Sequence, residues 1–432
     1  MKYYNVKDFG AVGNGSTDDS KAIQKAIDTC TENGGGTVVL ESGSVYYSSS
    51  LALKANVSLH IQKGAVLKAT SDIGGYIRPC STINDPKTAL VGNPVTGKPS
   101  FAFLYGFEAD NAEICGEGVI DANCYSFVER KSEYYVTGNF YPRPTCIYLE
   151  KCNHITVRDV TIKNAPFWTL HPAGCDDVLI SSIRILNPLD VANSDGIDPD
   201  HCTNVRIVNC HVECADDCIC LKNSKGNSEY GNCENIIITG CTLISTSAAI
   251  KIGTEGIADF KNIIVDNCII SRSNRGLSIQ IRDCGNVENV SFSNIMIETR
   301  RFCSDWWGSA EPITITSLRR DENTVCGSVK NVRYRNITCK GENGVLLFST
   351  ENNPIKDISF ENVSVEVGKT SKWPCGIYDL RPCIDYGIEE EKNSCFFIRN
   401  AENVCFRNVK TAIGDSEFYG DEINSESEIE RF

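Results

Sequence analysis

Apolar and polar positions alternate along much of the chain, and the alternation comes in a recurring phrase. It reads CNHITVRDV from 152, CDDVLISSI from 175, CTNVRIVNC from 202 and CENIIITGC from 233. It continues as FKNIIVDNC from 260, VENVSFSNI from 287, VKNVRYRNI from 329, IKDISFENV from 355 and AENVCFRNV from 401. The fourth residues, Ile155, Val178, Val205, Ile236, Ile263, Val290, Val332, Ile358 and Val404, stand 23, 27, 31, 27, 27, 42, 26 and 46 apart. Period-two alternation rich in β-branched residues predicts a half-buried strand in each phrase. A unit of about 25 residues with two or three short strands cannot bury its apolar face alone and must stack on its neighbours. The expected fold is therefore all-β, a single-domain right-handed parallel β-helix, with the two long intervals read as coils carrying loop insertions.

A helical period appears once with both a start and a stop signal. Asp18 or Asp19 can act as N-cap, Ala22, Ile23, Ala26, Ile27 and Cys30 form one apolar face, and Gly34-Gly35-Gly36 ends the segment. The spacing predicts a helix over 18–33 that caps the open end of the solenoid. Stacking places Cys152, Cys175, Cys202 and Cys233 in one column and Cys210, Cys241 and Cys268 in another, as small, buried, reduced residues. Cys214, Cys218 and Cys220 leave a metal site as the sharper alternative, without a second ligand pair at zinc spacing. Asn204, Asn235, Asn262, Asn289, Asn331 and Asn403 read as a side-chain amide ladder at a turn.

Composition narrows the class of partner. A net charge of −14 over 432 residues repels phosphate backbones and anionic lipid, so neither nucleic acid nor a membrane surface is expected as a partner. No stretch of 18 apolar residues occurs and the opening MKYYNVKDFGAVGNGSTDDS contains no apolar run suited to a signal, which predicts a cytoplasmic protein. The 23 cysteines are odd in number and the chain is long enough to form a core without disulfides. Part of the acid lies in 415–432, expected to be a solvated tail after a β-helix domain spanning 1–414.

A second column emerges on aligning another strand of each coil: Leu170, Ile197, Ile219, Ile250 and Leu277, at spacings of 27, 22, 31 and 27. The residues before them, Thr169, Gly196, Cys218, Ala249 and Gly276, are small and are expected to floor a shallow groove. One position beyond the anchors stand His171, Asp198, Cys220, Lys251 and Ser278. Two positions before stand Trp168, Asp195, Asp217, Ala248 and Arg275, with Asp216 beside Asp217. The spacing predicts carboxylates clustered on adjacent coils, where like charge raises at least one pKa and can divide a general acid from a general base. Asp195 and Asp217 could instead cap turns, as Asp commonly does next to Gly. Their grouping with Asp198 and Asp216, flanked by Trp168, His171, Lys222 and Lys251, favours the chemical reading.

At these residues the sequence resembles a known family. PFWTLHP at 166–172, NSDGIDPD at 193–200 and ADDCICLK at 215–222 are similar to consecutive signature segments of glycoside hydrolase family 28, the polygalacturonase family. NVKDFGAVGNGSTDDSKAIQKAI and GGGTVVL resemble the N-terminal part of these pectin-active β-helices, so the likeness runs over most of 3–410. The resemblance implies inverting hydrolysis: Asp216 as general acid, with Asp195 and Asp217 holding and deprotonating the attacking water. It implies no metal and no organic cofactor.

The departures shape the substrate expected. Thr246-Ser247-Ala248 stands where the family carries Gly-His-Gly, with Ser247 for the histidine, and Ser278-Ile279-Gln280 where it carries Arg-Ile-Lys. Both cations that would hold a uronate are therefore missing. Lys251 or Arg282 could replace them, or each could be a charge at the groove edge. Trp306 and Trp307, followed by Glu311 on the groove column, and WPCGIYDLRPC at 373–383 read as sugar platforms, or as aromatics packing their own loops. Long insertions beside a groove favour exo action. The expected protein is an inverting glycoside hydrolase for a small imported oligosaccharide, pectin-derived or related, with a neutral sugar at the cleaved bond. A noncatalytic carbohydrate-binding β-helix and a polysaccharide lyase on the same fold are the rivals.

Overall fold

The alternating phrases pair with one another in parallel and in the expected register. The computed structural model describes residues 2–79, 97–128, 143–304, 306–415 and 417–432. It falls into two compact units, Met1–Ala215 and Asp216–Phe432, each taken by itself. The periodic phrase is the same on both sides of 215.

In Met1–Ala215, strands Gly36–Leu40, Val57–Ile61, Glu113–Cys115, Asn153–Arg158, Asp176–Ser181 and Thr203–Val208 form one parallel ladder. Val38, Leu59, Ile114, Val157, Ile180 and Ile207 superpose along it, and all are buried. Each of these residues shields the next, which is the physical reason an isolated coil would not hold. Another ladder runs from Leu51–Leu53 through Ala102–Phe107 and Thr145–Glu150 to Leu170–Ala173. The helix spans Ser20–Glu32 and buries Ile23, Ala26, Ile27 and Cys30, with Ala22 half-buried. Asp19 occupies its N-cap position but spends its carboxylate elsewhere, accepting from the backbone N–H groups of Val12 (2.6 Å) and Gly13 (3.0 Å). Gly35 is required after the helix: its φ is +97°, and a Cβ there would lie 2.4 Å from the Asn56 carbonyl oxygen.

In Asp216–Phe432, Ile236, Ile263, Val290, Val332, Ile358 and Val404 stand in register, the column expected from the phrase. The outer ladder Ile219, Ile250, Leu277 and Ile313 is equally in register. Strands Val287–Thr299, Val329–Gly341 and Ile355–Val367 are longer than the phrase because the chain turns a corner within them, with Asn294, Asn336 and Asn362 at φ of 53°, 54° and 54°. Asn tolerates this left-handed backbone better than other non-glycine residues. The Asn336 amide donates to Asn294 Oδ1 (3.0 Å), Asn362 to Asn336 (3.1 Å) and Asn408 to Asn362 (2.8 Å). This second amide ladder escaped the sequence reading. The expected one is present in part: Asn262 donates to Asn235 (3.0 Å), Asn289 to Asn262 (3.3 Å) and Asn331 to Asn289 (2.6 Å), while Asn403 donates to Asp357 (2.9 Å) and Asn204 to Asp176 (2.7 Å), a carboxylate in each case. Phe292, Tyr334 and Phe360 stack at centroid spacings of 5.0 and 4.9 Å inside the same unit.

The acidic segment 415–432 is not a free end. Ile423–Ser425 pairs with Phe396–Arg399 and Ile429–Arg431 with Ala401–Arg407, while Asp421, Glu422, Glu426, Glu428 and Glu430 point outward. Two isoleucines give the ladder enough apolar side chain to continue, and the charges ride on its exposed face.

Among the described residues 22 cysteines carry free thiols; Cys80 lies outside them. Cys175 Sγ donates to the Leu149 carbonyl (3.3 Å) and Cys202 Sγ to the Pro172 carbonyl (3.3 Å), each reaching the preceding coil. Burial pushes the thiols of Cys115 and Cys124 up to about 12, and that of Cys175 well above its usual value, so they stay protonated and unreactive. Alkylation of the denatured, unreduced protein should label nearly all 23 cysteines by mass, and reductant should leave the melting temperature unchanged. Several unlabelled pairs would overturn this.

Candidate active site

Met1–Ala215 carries the aromatic segment and the first carboxylates. Thr169 N–H donates to the Asp195 carbonyl (2.9 Å) and Asp198 N–H to the Leu170 carbonyl (2.8 Å), which locks the 193–200 segment onto the strand Leu170–Ala173. Arg143 fixes the approach to Asp195 by donating to the carbonyls of Ala192 (2.6 Å) and Pro166 (3.1 Å) and to Asn193 Oδ1 (3.0 Å). Asp195 and Asp198 are both buried. His171 and Trp168, expected as sugar contacts, are enclosed instead. The His171 ring lies 4.9 Å from that of Tyr148 and 4.8 Å from that of Trp168, its Nε2 is 3.2 Å from Asp200 Oδ2, and Trp168 stacks on Phe167 at 5.4 Å. Neighbouring aromatics surround both rings.

Asp216–Phe432 opens with the carboxylate pair, in the turn before strand Ile219–Asn223. Ser245 Oγ donates to the Asp216 backbone carbonyl (2.5 Å), which pins the turn through its main chain. The Asp217 carboxylate is held from both sides: Oδ2 lies 2.8 Å from Lys251 Nζ, and Oδ1 accepts from Ser247 Oγ (3.1 Å) and Ala248 N–H (3.3 Å). Burial alone would push this carboxyl up, but Lys251, Lys222 and these hydrogen bonds outweigh it and hold it below the usual carboxylate range. Lys222 pairs with Glu255 at 3.3 Å, and Glu255, whose burial would raise it, is held low by Lys222, Lys251 and Arg320.

The remaining expected binding residues divide into a buried wall and loop anchors. Ser278 and Gln280 stand in register with Lys251 and Gly253 on one side and Thr314 and Thr316 on the other. Arg275 pairs with Glu311 (3.2 Å) and donates to the Asp379 carbonyl (2.8 Å), with both side chains of the pair buried. Arg282 is no groove cation. Fully buried, it donates to the carbonyls of Ile281 (2.9 Å), Leu380 (3.0 Å) and Pro382 and to Thr316 Oγ1 (2.9 Å), tying an insertion to the sheet. Trp306 and Trp307 are half-buried with rings 6.0 Å apart, and Arg381 lies 5.4 Å over Trp307. Of the small residues before the anchors, Gly276 is small for coil-to-coil approach: a Cβ there would come 2.3 Å from the Pro312 carbonyl oxygen. Cys218 Sγ and Cys220 Sγ donate to the carbonyls of Ile244 (3.2 Å) and Gly253 (3.0 Å), as packed thiols do.

Among the residues of these networks not singled out from sequence are Asp200, Glu255 and Asp379. Asp200 lay inside the quoted segment NSDGIDPD, and an acid one strand away from His171 or, for Glu255, from Lys222 was the available signal. Asp379 lay inside the quoted segment WPCGIYDLRPC but was not marked out within it, because its partners Gly308 N–H (2.7 Å) and Arg381 (2.8 Å) belong to insertions outside the repeat.

Residues 92–380, more than half of the chain, match the profile of Glycosyl hydrolases family 28, and the chain belongs to that family. Among curated relatives, it is 31% identical over 271 residues to a probable polygalacturonase of Vitis vinifera, covering 60% of this chain but 53% of that protein. It is 26% identical over 367 residues to an endo-polygalacturonase of Pectobacterium carotovorum subsp. carotovorum, covering 82% of this chain and 86% of that one. The chain thus spans about half the length of the first relative and most of the second. In fold, it superposes on an exopolygalacturonase of Thermotoga maritima with a TM-score of 0.74 at 22% identity, over 95% of this chain and 92% of that one.

Proposed function

We propose that this chain is an inverting O-glycoside hydrolase that takes a small pectin-derived or related oligosaccharide from one end, with a neutral sugar next to the cleaved bond. Asp216 donates the proton to the leaving oxygen, and Asp217, with Asp195, activates the attacking water. The buried, ionised state of Asp217 suits a base. The observation that carries the substrate reading is the fate of the cations. Lys222 is paired with Glu255, Lys251 with Asp217 and Arg275 with Glu311, and Arg282 is spent on carbonyls, so each cation expected at the site is engaged.

Beside them, Ser278 Oγ, Thr314 Oγ1, Gln280 Nε2 and Glu311 Oε1 are buried with no hydrogen-bond partner among the described residues. Ser278, Thr314 and Gln280 offer neutral donors and acceptors that match sugar hydroxyls, and a further carboxylate would meet the carboxylate of Glu311. Exo action is favoured by the hairpin Ile377–Asp379/Ile388–Glu390: Tyr378 and Leu380 pack on Leu318, Leu346 and Phe397 and so cover the far end of the wall. Relatives include an endo-xylogalacturonan hydrolase of Aspergillus tubingensis, 27% identical over 273 residues, which supports substrates other than plain galacturonan.

The test is incubation with mixed pectic and other plant oligosaccharides, reading products by mass and the first-formed anomer by NMR. Release of end sugars with inverted configuration is expected. An unsaturated product would indicate a lyase, and binding without turnover a noncatalytic β-helix.

A further inference from the structure

Lys251 stands on an outward row of the sheet whose register neighbours are Cys220 and Ser278, neither of them an acid. Its ammonium therefore has no ionic partner along its own row. It turns instead to Asp217, and the contact is sheltered: the Lys251 side chain is 15% exposed and that of Asp217 1%. Ser247 and Ala248 complete three donors around one carboxylate, fixing both of its oxygens. A residue placed to clamp a substrate would keep its charge toward the groove. This one directs it inward, at hydrogen-bond distance from a carboxylate of the proposed machinery.

We propose that Lys251 is a positioning residue of the reaction, the internal counter-ion that keeps Asp217 charged and in one orientation, and that it is thereby withdrawn from binding substrate. The inference rests on the reading of Asp217 as a base. Within Asp216–Phe432 the groups facing the pair are Asp216, Cys220 and Lys222, with Glu255 and Arg320 behind Lys222; on the following coil the register neighbour Ser278 is neutral. Burial, the largest single influence, would lower the Lys251 pKa, but Asp217 together with Cys220 and Asp216 outweighs it, so the ammonium persists across the working pH range. The sign follows: Asp217 sits low while the cation is present, and moves up when it is removed.

The experiment compares wild type, Lys251→Met and Lys251→Arg in the intact chain, by the pH dependence of kcat and KM and by 13C titration of labelled Asp carboxyls, with the Asp217 signal assigned through Asp217→Asn. In Lys251→Met the Asp217 titration and the acidic limb of kcat should both move up by at least about one pH unit, as expected for losing an opposite charge within hydrogen-bond reach. KM should change less than about threefold, and Lys251→Arg should restore most of the wild-type titration. An unmoved titration, or a large rise in KM with the acidic limb in place, overturns the proposal and returns Lys251 to the role of a clamp. The carboxyl titration stands even if Asp217→Asn proves active; that result would remove Asp217 as base while leaving the ion pair measured. Should Lys251→Met not fold, Lys251→Arg and Lys251→Gln read against each other supply the same comparison, and equal Asp217 titrations in the two overturn it.

Discussion

Asp216→Asn is expected to lower turnover on an oligosaccharide by at least ~100-fold, the usual loss when a general acid is removed. The fold should survive, because the turn is held through the Asp216 backbone carbonyl and Ser245, a contact the amide leaves untouched. Asn keeps the volume of Asp and cannot deliver a proton. A glycoside with an aryl leaving group that departs without protonation should therefore lose much less activity than the natural type of substrate. The corresponding changes at Asp195 and Asp217 should be severe with both kinds of leaving group, since water activation is needed by each. Near-normal turnover of an oligosaccharide by Asp216→Asn would assign the acid to another residue.

The chain should hydrolyse unsubstituted digalacturonate and trigalacturonate poorly, with kcat/KM at least about tenfold below that for an oligosaccharide bearing a neutral sugar at the cleaved bond. Recognition of a buried carboxylate rests on charge-assisted donors, and tenfold corresponds to about 1.4 kcal/mol, well within what one such contact contributes. At the wall the available groups are the Ser278 and Thr314 hydroxyls, the Gln280 amide and a Glu311 oxygen. The Arg282 side chain cannot supply the missing charge without abandoning the carbonyls of Leu380 and Pro382 and the insertion they hold. Kinetics on the two substrate classes decide the matter. Efficient cleavage of digalacturonate would mean that Lys251 leaves Asp217 when substrate binds, and Lys251→Ala would then raise KM sharply.

What was legible in the sequence was whatever repeats. Ile236 through Val404 and Ile219 through Ile313 stand in the ladders expected of them, since a period of about one coil imposes the same demand on every turn. The candidate carboxylates Asp195, Asp216 and Asp217 stood out as well, because they fall on successive repeats of the second column. The partners of the charged residues did not. Arg275 and Arg282 looked available from sequence because their acceptors, the Asp379, Leu380 and Pro382 carbonyls, come from an insertion about a hundred residues away, at separations of 104, 98 and 100. The strands within 415–432 were hidden for a different reason: Ile423 and Ile429 are their only strong apolar marks, and alternation over three residues does not stand out from an acidic background.

The amide ladder carries a consequence for how such a chain can change over generations. Each rung offers the same donor to one neighbour and the same acceptor to the other, and it is indifferent to how much chain lies between them. The bonds joining Asn262 to Asn235, Asn331 to Asn289 and Asn403 to Asp357 bridge 27, 42 and 46 residues with similar geometry. The spine of the molecule is thus insulated from the length of what grows opposite it. Loops such as those bearing Trp306, Trp307 and Asp379 can lengthen, shrink or be exchanged without renegotiating the stack, so new substrate preferences are open to a lineage that keeps its asparagines and its Asp216-Asp217 turn unchanged.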